Sequence, residues 1–137
     1  EFTQKGQDPA LKKEAMFDKG HIYLKMANTQ GAIKAFQDFA VVYPKDSSSA
    51  QLLFKVYLIQ KLTLKNLDES IKALNQILER TQSTAPDVYS RALHHRALIY
   101  LQEGKSRESI SLWQAYLEFN QKRQHELNNE VKFNLLI

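Results

Sequence analysis

The side chains most able to do chemistry in this chain are four histidines: His21, the adjacent pair His94-His95, and His125. Zinc-binding helices place two imidazoles at i and i+4 on one face, with further ligands nearby. Neighbouring residues in a helix point about 100° apart, so His94 and His95 do not grip one ion together. His21 and His125 have no evident carboxylate partner in the sequence. Each therefore reads as a surface or hydrogen-bonded histidine, and no metal site is expected. Signatures of catalysis are missing as well. The chain holds no Gly-rich phosphate loop, no G-x-S-x-G, no H-E-x-x-H and no cysteine nucleophile. Its acidic residues, among them Glu69, Glu79, Glu108 and Glu118, fall on polar helix faces where a solvated charge is the ordinary state. Aromatic and basic residues interleaved on one surface could stack single-stranded nucleic acid. Here Tyr23, Phe36, Phe39, Tyr100, Trp113 and Tyr116 stand instead at spacings that suit a helical core. The expectation is a protein with no catalytic residues, no cofactor, no metal and no nucleic-acid partner.

The elements that position these residues are helices. The 137 residues amount to one domain's worth of chain. Apolar residues make up 43% and charged residues 25%, enough for a core and a soluble surface. Four glycines and three prolines are too few for the tight turns of an all-β fold. The net charge of +4 is scattered rather than gathered in a basic tail, and reads as a solvated surface. Without cysteine, disulfides are excluded and the compartment stays open. No run approaches the ~20 apolar residues of a membrane span, and the chain does not open on a signal peptide. Glu1-Phe2 reads as a cloning remnant and the apolar Asn134-Leu135-Leu136-Ile137 as a cut end, so a piece of a longer protein is expected.

Six helical segments follow a polar stretch over 1–9 that ends at Pro9. The first covers about 10–27, and Asn28 to Gly31 turns the chain. The second runs to Tyr43, where Pro44 stops it. The third, about 49–64, is apolar nearly all round, which implies neighbours on both sides. The fourth carries Leu67, Ile71, Leu74, Ile77 and Leu78. The fifth opens at Pro86-Asp87 and ends before Gly104; the sixth is capped by Ser106. Segment 122–137 reads as a capping helix or the truncated start of another unit. Sustained period-2 alternation is absent, so no strand is expected.

The string also repeats. Met16, Gly20, Tyr23, Ala32, Phe36 and Phe39 recur 38 residues on as Phe54, Leu58, Lys61, Ser70, Leu74 and Ile77. A further 39 residues on they become Leu93, Ala97, Tyr100, Ser109, Trp113 and Tyr116. Gly20, Ala32, Ala97 and Ser109 are the small slots that let helices approach; Tyr23, Phe36, Tyr100 and Trp113 are the large ones that fill space. The middle copy diverges most, and an extra half-turn or shifted contact is expected there. Trp113 is read as a core residue whose truncation to alanine costs about 3–5 kcal/mol.

This pattern resembles the tetratricopeptide repeat. Met16-x-x-Lys19-Gly20-x-x-Tyr23, Ala32-x-x-x-Phe36 and Pro44 keep the family's intervals, and Ala97-x-x-Tyr100 with Ser109-x-x-x-Trp113 keep part of them. The period of 38–39 residues exceeds the family's usual 34, the additions falling after Tyr43-Pro44 and Arg80. The resemblance implies an all-α, right-handed superhelix of stacked antiparallel helix hairpins over 10–121 (about 10–44, 49–81 and 86–121). It implies a protein–protein interaction scaffold or adaptor whose concave groove takes a peptide segment or partner subunit. The matching groove slots hold Glu14, Phe17, His21, Leu24 and Lys25, then Leu52, Lys55, Ile59 and Leu62, then Arg91, His94, Leu98 and Leu101. The plainer reading of Leu52, Ile59, Leu98 and Leu101 is packing against neighbouring helices. The carboxylate clamp of co-chaperone members is not expected, because its slots hold Phe17, His21, Val56, Arg91 and His95, of which only Arg91 fits. Phe36-x-x-Phe39 followed by Tyr43-Pro44-Lys45-Asp46-Ser47 is similar to repeats in bacterial envelope proteins, such as the lipoprotein of the outer-membrane β-barrel assembly machinery and the periplasmic Tol coordinator. That likeness leans towards a periplasmic or cell-envelope location, with the cytoplasm as the alternative. Homo-oligomerisation through an apolar surface is the alternative function.

Overall fold

A computed structural model describes residues 8–136, and side chains as far as Asn129. Most of segment 1–9, and the apolar side chains Val131, Phe133, Leu135 and Leu136, lie outside the described residues. Six helices follow in order: α1 (Pro9–Lys25), α2 (Thr29–Val42), α3 (Ser47–Leu58), α4 (Leu67–Arg80), α5 (Pro86–Gln102) and α6 (Ser106–Leu136). No strand occurs among the described residues.

Each start has a local cause. Asp8, Asn28, Asp46 and Asn66 accept a hydrogen bond from a first-turn amide of α1, α2, α3 and α4. Proline opens α1 and α5, where its missing N–H costs nothing. Ser106 is not the cap expected for α6; it is already helical. The hydroxyl of Ser109 donates to the Ala97 carbonyl at 2.8 Å, stitching α6 to α5. Between Ser106 and Leu136 there is neither glycine nor proline, so α6 runs for 31 residues without the break expected near 121.

The ends of α1, α3 and α5 share one device. Ala27, Lys65 and Gly104 adopt positive φ, of 59°, 53° and 76°. Around Ala27 the Asn28 amide reaches back to the Tyr23 carbonyl, and around Gly104 the Lys105 amide reaches Tyr100. That is the six-residue closure of a Schellman turn. Around Lys65 the closure is one residue longer, from the Asn66 amide to the Gln60 carbonyl. The surplus residue sits in a π-helical turn over Ile59–Thr63, which continues α3.

That turn corrects the repeat register. Counted from the shared closure, the partner of Tyr23 and Tyr100 is Gln60, not Lys61. The partner of Gly20 and Ala97 is then Tyr57, not Leu58, and the partner of Met16 is Leu53, not Phe54. Burial agrees at the middle slot: Tyr57 is fully buried and Leu58 only half-buried. The exit at Lys65 therefore carries one residue more than those at Ala27 and Gly104.

Consecutive helices pack antiparallel. Phe17 meets Phe39 and His21 meets Phe36 across α1–α2, while Tyr89 meets Phe119 and His94 meets Trp113 across α5–α6. Successive pairs join through α2–α3 and α4–α5, and α3 also touches α5. At Gly20 the Phe36 ring of α2 lies against the α1 backbone, and any Cβ there would collide with it. Phe36, Phe39, Leu52, Tyr57, Leu74 and Ile77 form the centre of the core. Helix α3 is the most enclosed, burying Leu52, Leu53, Phe54, Val56 and Tyr57; Leu62 beyond it is exposed. Tyr23, Tyr100, Trp113 and Tyr116 are half-buried rather than core residues. For Trp113 this reduces the expected truncation cost to about 1–2 kcal/mol.

The register is checked by paired truncations in urea unfolding. Tyr57→Ala should lose about 3–5 kcal/mol and Leu58→Ala about 1–2 kcal/mol. The opposite order would place the extra residue elsewhere.

Candidate functional site

Helix α3 packs on α5, and polar contacts reach from α1 to α3 and to its cap at Asp46. On α1 the Nδ1 of His21 lies 3.0 Å from the Phe17 carbonyl, one turn back. A carbonyl only accepts, so Nδ1 carries the proton and Nε2 is left as an acceptor. The Lys55 ammonium of α3 donates to that Nε2 at 2.8 Å. The His21 ring is held against Phe17 and Phe36, at centroid distances of 4.9 and 5.0 Å. Lys55 is thus an exposed cation with a fixed seat.

Between α3 and α5 the arrangement is denser. The Arg91 guanidinium lies over the Phe54 ring at 5.6 Å. His95 is edge-on to Phe54 and to Tyr57, at 5.2 Å from each. The Tyr57 hydroxyl is 2.9 Å from His95 Nδ1 and 3.3 Å from the Lys61 ammonium. An ammonium only donates, so the Tyr57 oxygen accepts from Lys61. The buried hydroxyl proton finds an acceptor in His95 Nδ1 when that imidazole is the neutral tautomer protonated on Nε2. Burial, and then the positive charge of Lys61, His94 and Arg91, pushes its pKa below the ordinary 6.5. Sequence reasoning missed this cluster. Its signal was a tyrosine on a helix apolar all round, whose hydroxyl needs a partner when buried.

The expected groove residues separate into groups. Phe17, His21 and Lys55 come together at one end. Glu14 and Phe17 line a shallow depression with Ala10, Lys13, Phe39 and Ser48. Arg91 lies over Phe54, between α5 and α3. His94 turns towards α6, its ring 4.9 Å from Trp113 and 5.6 Å from Tyr116. Leu98 is half-buried, and Ile59, in the π turn, packs partly against the core. Lys25, Leu24 and Leu101 are exposed. Leu52 is fully buried and leaves the groove set, as its plainer reading had it. Val56, one of the clamp slots, is buried too. Among the described residues no three His, Cys, Asp or Glu side chains gather as a metal site.

In the first pair the Phe36 ring lies against Gly20, and Pro44 stands past the end of α2. Residues 14–46 match the family model of the tetratricopeptide repeat. The match spans α1 from Glu14, all of α2 and the turn into α3. It supports the tetratricopeptide family, a helical repeat fold and, in general terms, a protein–protein interaction module. No curated protein and no solved structure matches the chain. The segment from Phe39 to Ser49 joins α2 to α3 through several contacts. The Phe39 and Tyr43 rings stack at 4.9 Å, the Ser49 hydroxyl donates to the Tyr43 carbonyl, and Asp46 caps α3 and pairs with Lys13. No helix among the described residues is long and apolar enough to cross a membrane.

Because folding depresses the His95 pKa, its neutral form stabilises the fold above the unfolded value of 6.5. That contribution is lost as pH falls through the lower folded value. Thermal melts should therefore show Tm dropping between about pH 7.5 and about pH 5.5. His95→Gln should drop less over the same interval; an equal drop would assign the effect to other groups.

Proposed function

We propose that the face formed by α1, α3 and α5 binds an extended or helical peptide carrying apolar anchors and an acidic group. The chain then acts as an adaptor, presenting this face to a partner subunit. The observation that carries the reading is the pair of exposed cations on adjacent helices. Lys55 rests on His21, and Arg91 over Phe54. Each is held in place by a ring, so little side-chain entropy remains to be lost when an acidic ligand arrives. Phe17, Leu98 and the exposed Leu24 and Leu101 supply apolar surface on the same helices.

We further infer that each of the three helix pairs is one tetratricopeptide-type unit. The recurring positive-φ exits at Ala27, Lys65 and Gly104 support this. So does burial of Gly20, Ala32, Ser70, Ala97 and Ser109 at the close approaches.

The test is fluorescence anisotropy with labelled amphipathic peptides bearing Asp and Glu, each against a form with Asn and Gln in their place. The acidic forms should bind more tightly. Lys55→Glu with Arg91→Glu should weaken them by at least about tenfold. The helical melt should stay nearly unchanged, because both side chains are exposed. Retained affinity would put the site on another surface.

A further inference from the structure

The two end helices each expose a face that the same fold buries elsewhere. On α1 that face is Leu11, Ala15 and Ile22; on α5 the residues at the same spacing are Val88, Ala92 and Ile99. Ile22 is 54% exposed while Ile99 is 1% exposed. Leu11 and Ala15 are exposed, and Val88 and Ala92 buried. Since α1 packs on α2 as α5 packs on α6, the difference comes from what precedes them. Helix α5 has α4 and α3 against it, whereas nothing among the described residues precedes α1.

Helix α6 shows the converse. Its Ile110 and Leu117 correspond to Ile33 and Ala40 of α2, and to Ile71 and Leu78 of α4. Ile110 is 57% exposed while Ile33 is 5% exposed. Between them Trp113 and Tyr116 are half-buried, where Phe36 and Phe39 of α2 are fully buried. Helix α2 has one neighbour that α6 lacks, namely α3. The exposed face of α6 is therefore one half of a joint, and the exposed face of α1 is the other half. The chain builds that joint twice internally, at α2–α3 and at α4–α5.

We propose that copies of this chain associate head to tail, α1 of one copy packing on α6 of the next as α3 packs on α2. The size pattern suits the fit. Leu11, Ala15 and Ile22 keep the large–small–large order of Val88, Ala92 and Ile99, which already lie in such a joint. The contact is heterologous, so it leaves a free head and a free tail and extends beyond dimers. It uses the outer faces of the end helices, and does not depend on the peptide-binding reading.

Sedimentation velocity over a concentration series tests it on the chain as it stands, up to about 1 mM. The unmodified chain should grow past dimers as concentration rises. A head-blocked variant, Leu11→Glu with Ile22→Glu, and a tail-blocked variant, Ile110→Glu with Leu117→Glu, should each associate at least about tenfold more weakly. All four side chains are exposed, so circular dichroism should show unchanged helicity. An equimolar mixture of the two variants should form a one-to-one dimer, since one keeps its tail and the other its head. Three results would overturn the proposal: an unmodified chain that stays monomeric throughout, a head-blocked variant that dimerises as tightly as the unmodified chain, or a mixture that does not pair. The second would show a symmetric tail-to-tail contact. Were either glutamate pair to unfold the chain, the single changes Ile22→Glu and Leu117→Glu and the unmodified series still decide it.

Discussion

Everything in this molecule depends on how its first helices end. For α2 to lie against α1, or α6 against α5, the chain must leave a helix and enter the next within about three residues. A residue with positive φ at the exit makes that reversal, and the closing hydrogen bonds satisfy carbonyls that would otherwise face no partner. Only one of the three exits uses glycine; Ala27 and Lys65 accept the strained conformation. An L-residue gives up roughly 1–2 kcal/mol there, so the packing of each pair must outweigh it. That packing is available because Gly20, Tyr57 and Ala97, about two turns before the exits, are all buried in it.

The joint between α3 and α5 has a second character. It is neither a dry apolar seam nor a wet surface, but a cluster in which rings hold polar groups in register. Tyr57, His95 and Lys61 share two hydrogen bonds, and Phe54 is flanked by Arg91 and His95. Inside such a partly desolvated cluster every donor must find an acceptor, because an unpaired one is costly. The arrangement leaves its cations at the rim. The contacts that hold the row of first helices together are thus the ones that give its outer face a positive, ring-lined character.

Most of the helical framework was legible in the chain. Pro9, Pro44, Pro86 and Gly104 mark boundaries by backbone chemistry alone, and the 3.6-residue spacing of Ile33, Phe36, Phe39 and Ala40 marks the buried side of α2. The insertion in α3 was not legible, because apolar residues occupy both candidate frames and a one-residue slip leaves the pattern looking intact. Trp113 was misjudged for a different reason: whether a slot in a stacked array is core depends on the element that follows, and α6 has none among the described residues. Helix α6 outran its expected end because a polar composition does not itself stop a helix. The site was partly legible. His21 and Arg91 carry the pattern's slots and Lys55 did so only before the register shifted by one, while the Tyr57–His95 contact spans 38 residues and belongs to no local motif.

The wide turn at Ile59–Thr63 has a consequence for how such a chain can change over generations. A codon added inside an ordinary helix rotates everything downstream by about 100° and turns the buried face outward. Here the added residue is confined within one loop of the spiral, so α3 keeps its face on one side of it and the exit at Lys65 keeps its geometry on the other. An array assembled from near-copies can then accept lengths that differ by one while its neighbours stay in phase. Variation in repeat length becomes a local matter of a single turn rather than a threat to the whole stack.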